Sequence, residues 1–213
     1  MEKKILTDEE KNTVNHFRVS GFISRITRAK SGITTITVAM PKYRETIKGV
    51  EVLTNYPVIS FTKETAKMLE GFEKQDFVCV EGCFYVKKKH GDLYMAGEKV
   101  TKMHPIERDF KHTRINDFNV TGVVTFVNFN KSETGIFIGI TTGDLYKYPL
   151  YSIVEFYGKK DKLKEMKETI KPGTHIHCKG NIRTRKDFDK HFTFTNLTGN
   201  SFNTLWARNP PPL

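Results

Sequence analysis

Lysine and arginine gather in this chain where strands turn back on themselves. Arg183, Arg185 and Lys186 follow Gly180 in the stretch KPGTHIHCKGNIRTRKDF, and Lys87, Lys88 and Lys89 form a run just before His90-Gly91-Asp92. Arg25, Arg28 and Lys30 stand near a third polar turn, and Lys131 near a fourth. Cations so placed can track phosphates, with an attraction that falls as salt rises. Aromatic residues interleave with them: Phe22, Tyr43, Tyr56 and Phe61, then Tyr148, Tyr151, Tyr157 and Phe188. Stacking of a base on such a ring contributes roughly 1–3 kcal/mol. Together these residue types can hold a polyanion whose flat groups are unpaired.

Covalent chemistry is not expected. No phosphate-binding P-loop, HExxH pair or Ser/His/Asp arrangement is present. Cys79 and Cys83, with His175, His177 and Cys178, raise a zinc reading. Structural zinc needs four converging ligands, and alternation along a strand points the two histidines away from Cys178. Asp187 and Asp189 read as a solvated hairpin tip. No cofactor, metal or enzymatic activity is expected.

The elements that must position these residues come in duplicate. Asn15-His-Phe-Arg-Val-Ser-Gly21 returns as Asn116-Asp-Phe-Asn-Val-Thr-Gly122. Each copy continues through a polar turn (Lys30–Gly32; Lys131–Gly135) into a β-rich strand (Ile33–Met40; Ile136–Thr142). A polar, aromatic-containing loop leads to a third strand, Pro57–Phe61 or Ser152–Tyr157, and then to a helix-like segment, Lys63–Glu73 or Lys159–Ile170. An alternating strand closing on Gly82 or Gly180 and a basic hairpin complete each unit. Gly82 and Gly180 are expected where the fourth strand yields to the fifth.

Five strands with a helix between the third and fourth is the order of the OB-fold, a small Greek-key barrel. The expected fold is therefore mainly all-β: two tandem five-stranded OB-folds, each with one helix between strands three and four. Residues 1–13 read as a polar leader, 14–104 as the first barrel, 105–114 as a linker, 115–205 as the second barrel and 206–213 as a Pro-rich tail. Alternation assigns Phe17, Val19 and Ile23, with their counterparts Phe118, Val120 and Val124, to the two cores. Phe126, Phe129 and Phe137 read as packing residues.

Composition agrees. The chain has 213 residues, 38% of them hydrophobic, and a formal net charge of +11 shared by both halves. That balance suits a polyanionic partner. Three cysteines at these spacings make no disulfide framework, and no apolar run is long enough for a signal peptide or membrane span. A reduced, cytoplasmic location is the expectation.

From Tyr151 onward the text resembles the bacterial single-stranded DNA-binding protein family. There an aromatic-ended third strand runs into FGK, then a helix, an alternating strand and LRTRKW. Here stand Tyr157-Gly158-Lys159, Pro172-Gly173, Lys179-Gly180 and Ile182-Arg-Thr-Arg-Lys186, with Gly122 at the family's first-strand glycine. The resemblance covers most of the second copy, and the first carries a weaker echo. It implies base-stacking positions for Tyr151 and Tyr157, for Phe61 as the first-copy counterpart of Tyr157, and for Phe188 beside the family's hairpin tryptophan. It implies phosphate contacts from Arg183, Arg185 and Lys186. The family's acidic C-terminal tail is replaced by Asn209-Pro-Pro-Pro-Leu213, so recruitment of partners through it is not expected. A divergent form from a phage or mobile element would fit.

The expected function is the coating of single-stranded DNA with little sequence preference in replication or recombination. The competing readings are an adaptor docking replication or recombination proteins through exposed rings, and an RNA binder. A homodimer of this two-barrel chain is a further expectation from the resemblance. No membrane partner is expected.

Overall fold

The computed structural model describes residues 14–86, 93–104, 114–141, 151–187 and 192–207; the side chains of residues 43–45, 186–187, 192 and 205–207 fall outside the description. The chain is mainly β and divides into two compact units. One comprises His16–Asp117 and Ile182–Asn196. The other comprises Phe118–Asn181, the described residues from Leu197 on, and those up to Asn15. A short piece of the second copy, the basic segment after Gly180, thus belongs with the first.

In the first unit β1 (Asn15–Arg28) pairs antiparallel with both β2 (Thr34–Thr46) and β5 (Phe77–Val86). Strand β2 pairs with β4 (Val58–Phe61), β5 with β6 (Leu93–Lys102), and β4 runs parallel to β6. The five strands therefore close into a barrel in the order β1-β2-β4-β6-β5. Period-two burial drives the closure: Phe17, Val19, Ile23, Ile36, Ile59, Phe61, Val80 and Phe84 have no exposure and fill the interior. Each such side chain contributes about 1.5–3 kcal/mol by leaving water.

One strand was not expected. The polar segment after Met40 continues β2 to Thr46 and folds back as β3 (Gly49–Asn55), in register from Met40 opposite Asn55 to Thr46 opposite Gly49. Gly49 takes φ +118° at the turn, a left-handed conformation that favours glycine. The first copy therefore has six strands rather than five.

In the second unit β7 (Asn116–Phe129), β8 (Gly135–Thr141) and β9 (Tyr151–Tyr157) pair antiparallel in sequence order. Strand β9 runs parallel to β11 (Phe192–Ala207), β11 neighbours β10 (Thr174–Asp187), and β10 pairs back onto β7. The helix α1 (Lys160–Thr169) lies between β9 and β10 and buries Leu163 and Met166. The expected core residues Phe118, Val120 and Val124 are buried, as are their first-copy counterparts.

Two expectations are corrected. The segment Lys63–Glu73 holds only a 3-10 turn, Thr65–Leu69, instead of a helix. Leu69 is its one buried side chain, and extended Glu70 ends it just before Gly71 (φ +79°), so no apolar face exists to stabilise further turns. Gly82 and Gly180 lie inside β5 and β10 rather than between strands. A methyl at Gly82 would strike the Ala96 carbonyl, and one at Gly180 the Thr198 carbonyl. The neighbouring backbone comes too close for any side chain, while the strand itself continues.

Candidate nucleic-acid interface

Strand β9 alternates cleanly. Ser152, Val154 and Phe156 are buried, while Tyr151, Ile153 and Tyr157 face outward at 47%, 44% and 51% exposure. Tyr151 lies opposite Thr141, Ile153 opposite Gly139, Glu155 opposite Phe137 and Tyr157 opposite Gly135. The Tyr157 ring lies against the bare backbone of Gly135, 3.0 Å from where a Cβ would stand. Its hydroxyl donates a hydrogen bond to Glu155 Oε2 at 2.7 Å. The two tyrosines singled out in the sequence thus share one outward sheet face.

The β7–β8 turn closes one end of that face. Asn130 Oδ1 accepts from the Thr134 N–H at 3.0 Å, and Gly158 N–H donates to the Thr134 carbonyl at 3.4 Å. Lys131 is exposed on this turn. Glu133 pairs with Lys160 at the start of α1, whose ammonium hydrogen bond holds the carboxyl below its ordinary range. Phe129 lies 4.9 Å beneath Lys167 Nζ, a cation–π contact that keeps it in the packing role expected.

The first unit brings another set together. Thr184, on the basic end of β10, accepts a hydrogen bond from the Tyr56 N–H at 2.7 Å, and its own N–H donates to Asn55 Oδ1 at 3.1 Å. Two residues earlier the Asn116 amide forms a reciprocal pair with the Ile182 backbone, at 2.9 and 3.0 Å. This anchoring holds the segment that carries exposed Arg183 and Arg185 against the backbone at Tyr56, itself 45% exposed. Arg25 is exposed and pairs with Thr37, which pairs in turn with Val58, two residues beyond Tyr56. Arg28 and Lys30 are exposed at the β1–β2 turn. The signal for Asn55 and Asn116 was absent from the sequence, because polar groups pairing across more than sixty residues follow no local pattern.

Phe61 is corrected. It is fully buried, its ring pressed onto Gly97 of β6 so that a methyl there would overlap it. In the second copy Phe156 occupies the matching place over Gly199 of β11. Phe61 is therefore the counterpart of Phe156, and its ring cannot receive a base. Phe22 is half-buried, with the Phe77 ring edge-on at 5.0 Å. Tyr43, Tyr148, Phe188, Lys87, Lys88, Lys89 and Lys186 lie outside the described residues or side chains.

The thiols offer no chemistry. Burial pushes Cys178 up to about 12; burial, followed by the nearby Glu98 carboxylate, does the same to Cys83, and Cys79 is raised by burial and then Glu81. All three stay protonated at neutral pH, and a thiol is a poor nucleophile. Iodoacetamide at about pH 8 is expected to leave the native protein unlabelled and to modify all three cysteines in denaturant; rapid native labelling would contradict the burial described here. Among the described residues no three His, Cys, Asp or Glu side chains cluster as metal ligands.

No protein-family model matches the chain, and no curated protein matches it. Solved structures do. A deletion mutant of the single-stranded DNA-binding protein from Thermus aquaticus superposes with a TM-score of 0.68 at 14% identity, over 93% of this chain and 98% of that one. The wild-type Thermus aquaticus protein gives 0.66 at 13% identity, over 94% and 97%. The chain thus has the fold of those proteins, which supports the OB-fold expectation.

Proposed function

We propose that the chain is a non-enzymatic protein that coats single-stranded DNA with little sequence preference. In this reading it consists of two tandem Greek-key OB-folds, at residues 14–104 and 115–205, joined by a linker. A helix lies between the third and fourth strands of the second barrel, and a 3-10 turn takes its place in the first. Tyr151, Tyr157 and Tyr56 stack bases, with Phe22 as a lesser contact. Arg25, Arg28, Lys30, Lys131, Arg183 and Arg185 meet phosphates. Tyr43, Tyr148, Phe188, Lys186 and Lys87–Lys89 keep the roles their positions imply. The sequence resemblance and the fold shared with the Thermus aquaticus proteins extend the reading to replication or recombination, to the cytoplasm and to a homodimer.

One observation carries the proposal: Tyr151 and Tyr157 are each about half exposed on one side of a barrel sheet. Packing would bury those rings, and a solvated surface would not select them, whereas a stacking platform needs one ring face free. The +11 charge supplies the phosphate attraction.

Fluorescence anisotropy of a labelled oligo-dT tests this. Tight binding at about 50 mM salt should weaken steeply by about 300 mM, with unlabelled oligo-dT competing far better than duplex DNA. Absence of binding at the lower salt ends the proposal. Displacement by oligo-rU as effective as by oligo-dT moves it to RNA.

A further inference from the structure

The two copies place different chemistry at the same point of their outward faces. Each first strand carries a bulge at the matching position, between Ile23 and Arg25 in β1 and between Val124 and Phe126 in β7. The residue after the bulge starts an outward cross-strand row: Arg25–Thr37–Val58 in one copy, Phe126–Gly139–Ile153 in the other. A methyl on Gly139 would collide with the Phe126 ring, so that ring covers bare backbone and remains only half-buried. One row on, half-buried Phe137 pairs with Asn128 and Glu155.

In the second unit four successive rows therefore each hold one ring: Tyr151, Phe126, Phe137 and Tyr157. Rows on one face of a strand repeat about every 6.6 Å, so the rings form a continuous strip. The matching rows of the first unit hold Arg25 and then Thr27, Thr35 and Ser60. Tyr56 lies two residues before Val58, and its backbone N–H is bonded to Thr184, which stands between exposed Arg183 and Arg185.

We infer that the duplicated faces have divided the work. Phe126 and Phe137 are base-stacking residues, and the second unit's face binds mainly bases. The first unit, through Arg25 with Arg183 and Arg185, binds mainly the phosphate backbone, with Tyr56 and Phe22 as its fewer ring contacts. This rests on the single-stranded DNA reading above. Ring–base contact involves no released counterion, whereas each phosphate contact does, so the two faces differ in salt dependence.

The test is the affinity for oligo-dT across a salt series for Phe126→Ala, Phe126→Leu and Arg25→Ala, with thermal melting of each. Phe126→Leu retains an apolar side chain over Gly139 but has no aromatic face. Both Phe126 variants are expected to lose about tenfold or more in affinity at every salt, with the slope of log K against log salt unchanged. Arg25→Ala is expected to lose less at high salt and to flatten the slope by about 0.7. Wild-type affinity in Phe126→Leu, or an unchanged slope in Arg25→Ala, overturns the division of work while leaving the binding reading intact. A wild-type protein that fails to bind oligo-dT overturns both.

Discussion

Replacing Tyr151 or Tyr157 by alanine is expected to weaken oligo-dT binding by about ten- to a hundredfold each, with little change in melting temperature. The first half follows from stacking at roughly 1–3 kcal/mol per base. The second follows from exposure: each residue is already about half exposed, so truncation leaves no cavity in the core. Tyr157 has one added structural tie, the hydrogen bond from its hydroxyl to Glu155. Tyr157→Phe removes that bond and keeps the ring, so it should bind nearly as the wild type does. Titrating the three variants against oligo-dT separates ring from hydroxyl. Wild-type affinity in both alanine variants would remove these residues from the site.

Phe61→Ala should do the reverse. The side chain has no exposure and its ring fills the space above Gly97. Truncating a buried phenylalanine costs about 3–5 kcal/mol, a large part of the stability of a small domain. Urea unfolding should show that loss, while protein still folded at low temperature should bind oligo-dT close to wild type. Phe156→Ala should cost a similar amount, because Phe156 sits over Gly199 in the same way. The contrast with Tyr157→Ala is sharp, one variant acting on stability and its neighbour on binding. A Phe61→Ala protein of undiminished stability that fails to bind would return Phe61 to the interface.

The error over Phe61 shows where sequence reasoning stopped. Matching Pro57–Phe61 to Ser152–Tyr157 by their final aromatic slides the register by one residue, and a slip of one moves a side chain from core to surface. Gly97 and Gly199 held the correcting signal, since a glycine under each core ring fixes which aromatic lies inside. The side on which Phe126 lies was hidden for a related reason. Alternation carried from Val124 puts it in the core, but the bulge after Val124 inserts a residue and reverses the phase. No residue type announces that bulge. Strand β3 was missed because its outward side chains give it no core-facing alternation and its turn pair, Ile47-Lys48, is not one of the usual hairpin pairs, Gly49 coming only after it.

Much else was legible. The duplicated Asn-x-Phe-x-Val-x-Gly segments, the alternation that buried Phe17, Val19, Ile23 and their counterparts, and the strand order all follow from period-two patterning. Tyr151 and Tyr157 were readable because a tyrosine at each end of a strand with buried alternate positions must point outward. The anchoring of the Arg183–Arg185 segment at Tyr56 was not readable. It depends on Thr184 meeting Asn55 and Tyr56 across more than a hundred residues of sequence.

Photo-crosslinking with an oligo-dT carrying 5-iodouracil tests the stacking claim at its source, because a base lying on a ring couples to it on irradiation. Peptide mapping should find the crosslinks on Tyr151 and Tyr157, diminishing in step with the affinity of their alanine variants. Crosslinks confined to other segments, with none on strand β9, would contradict the account.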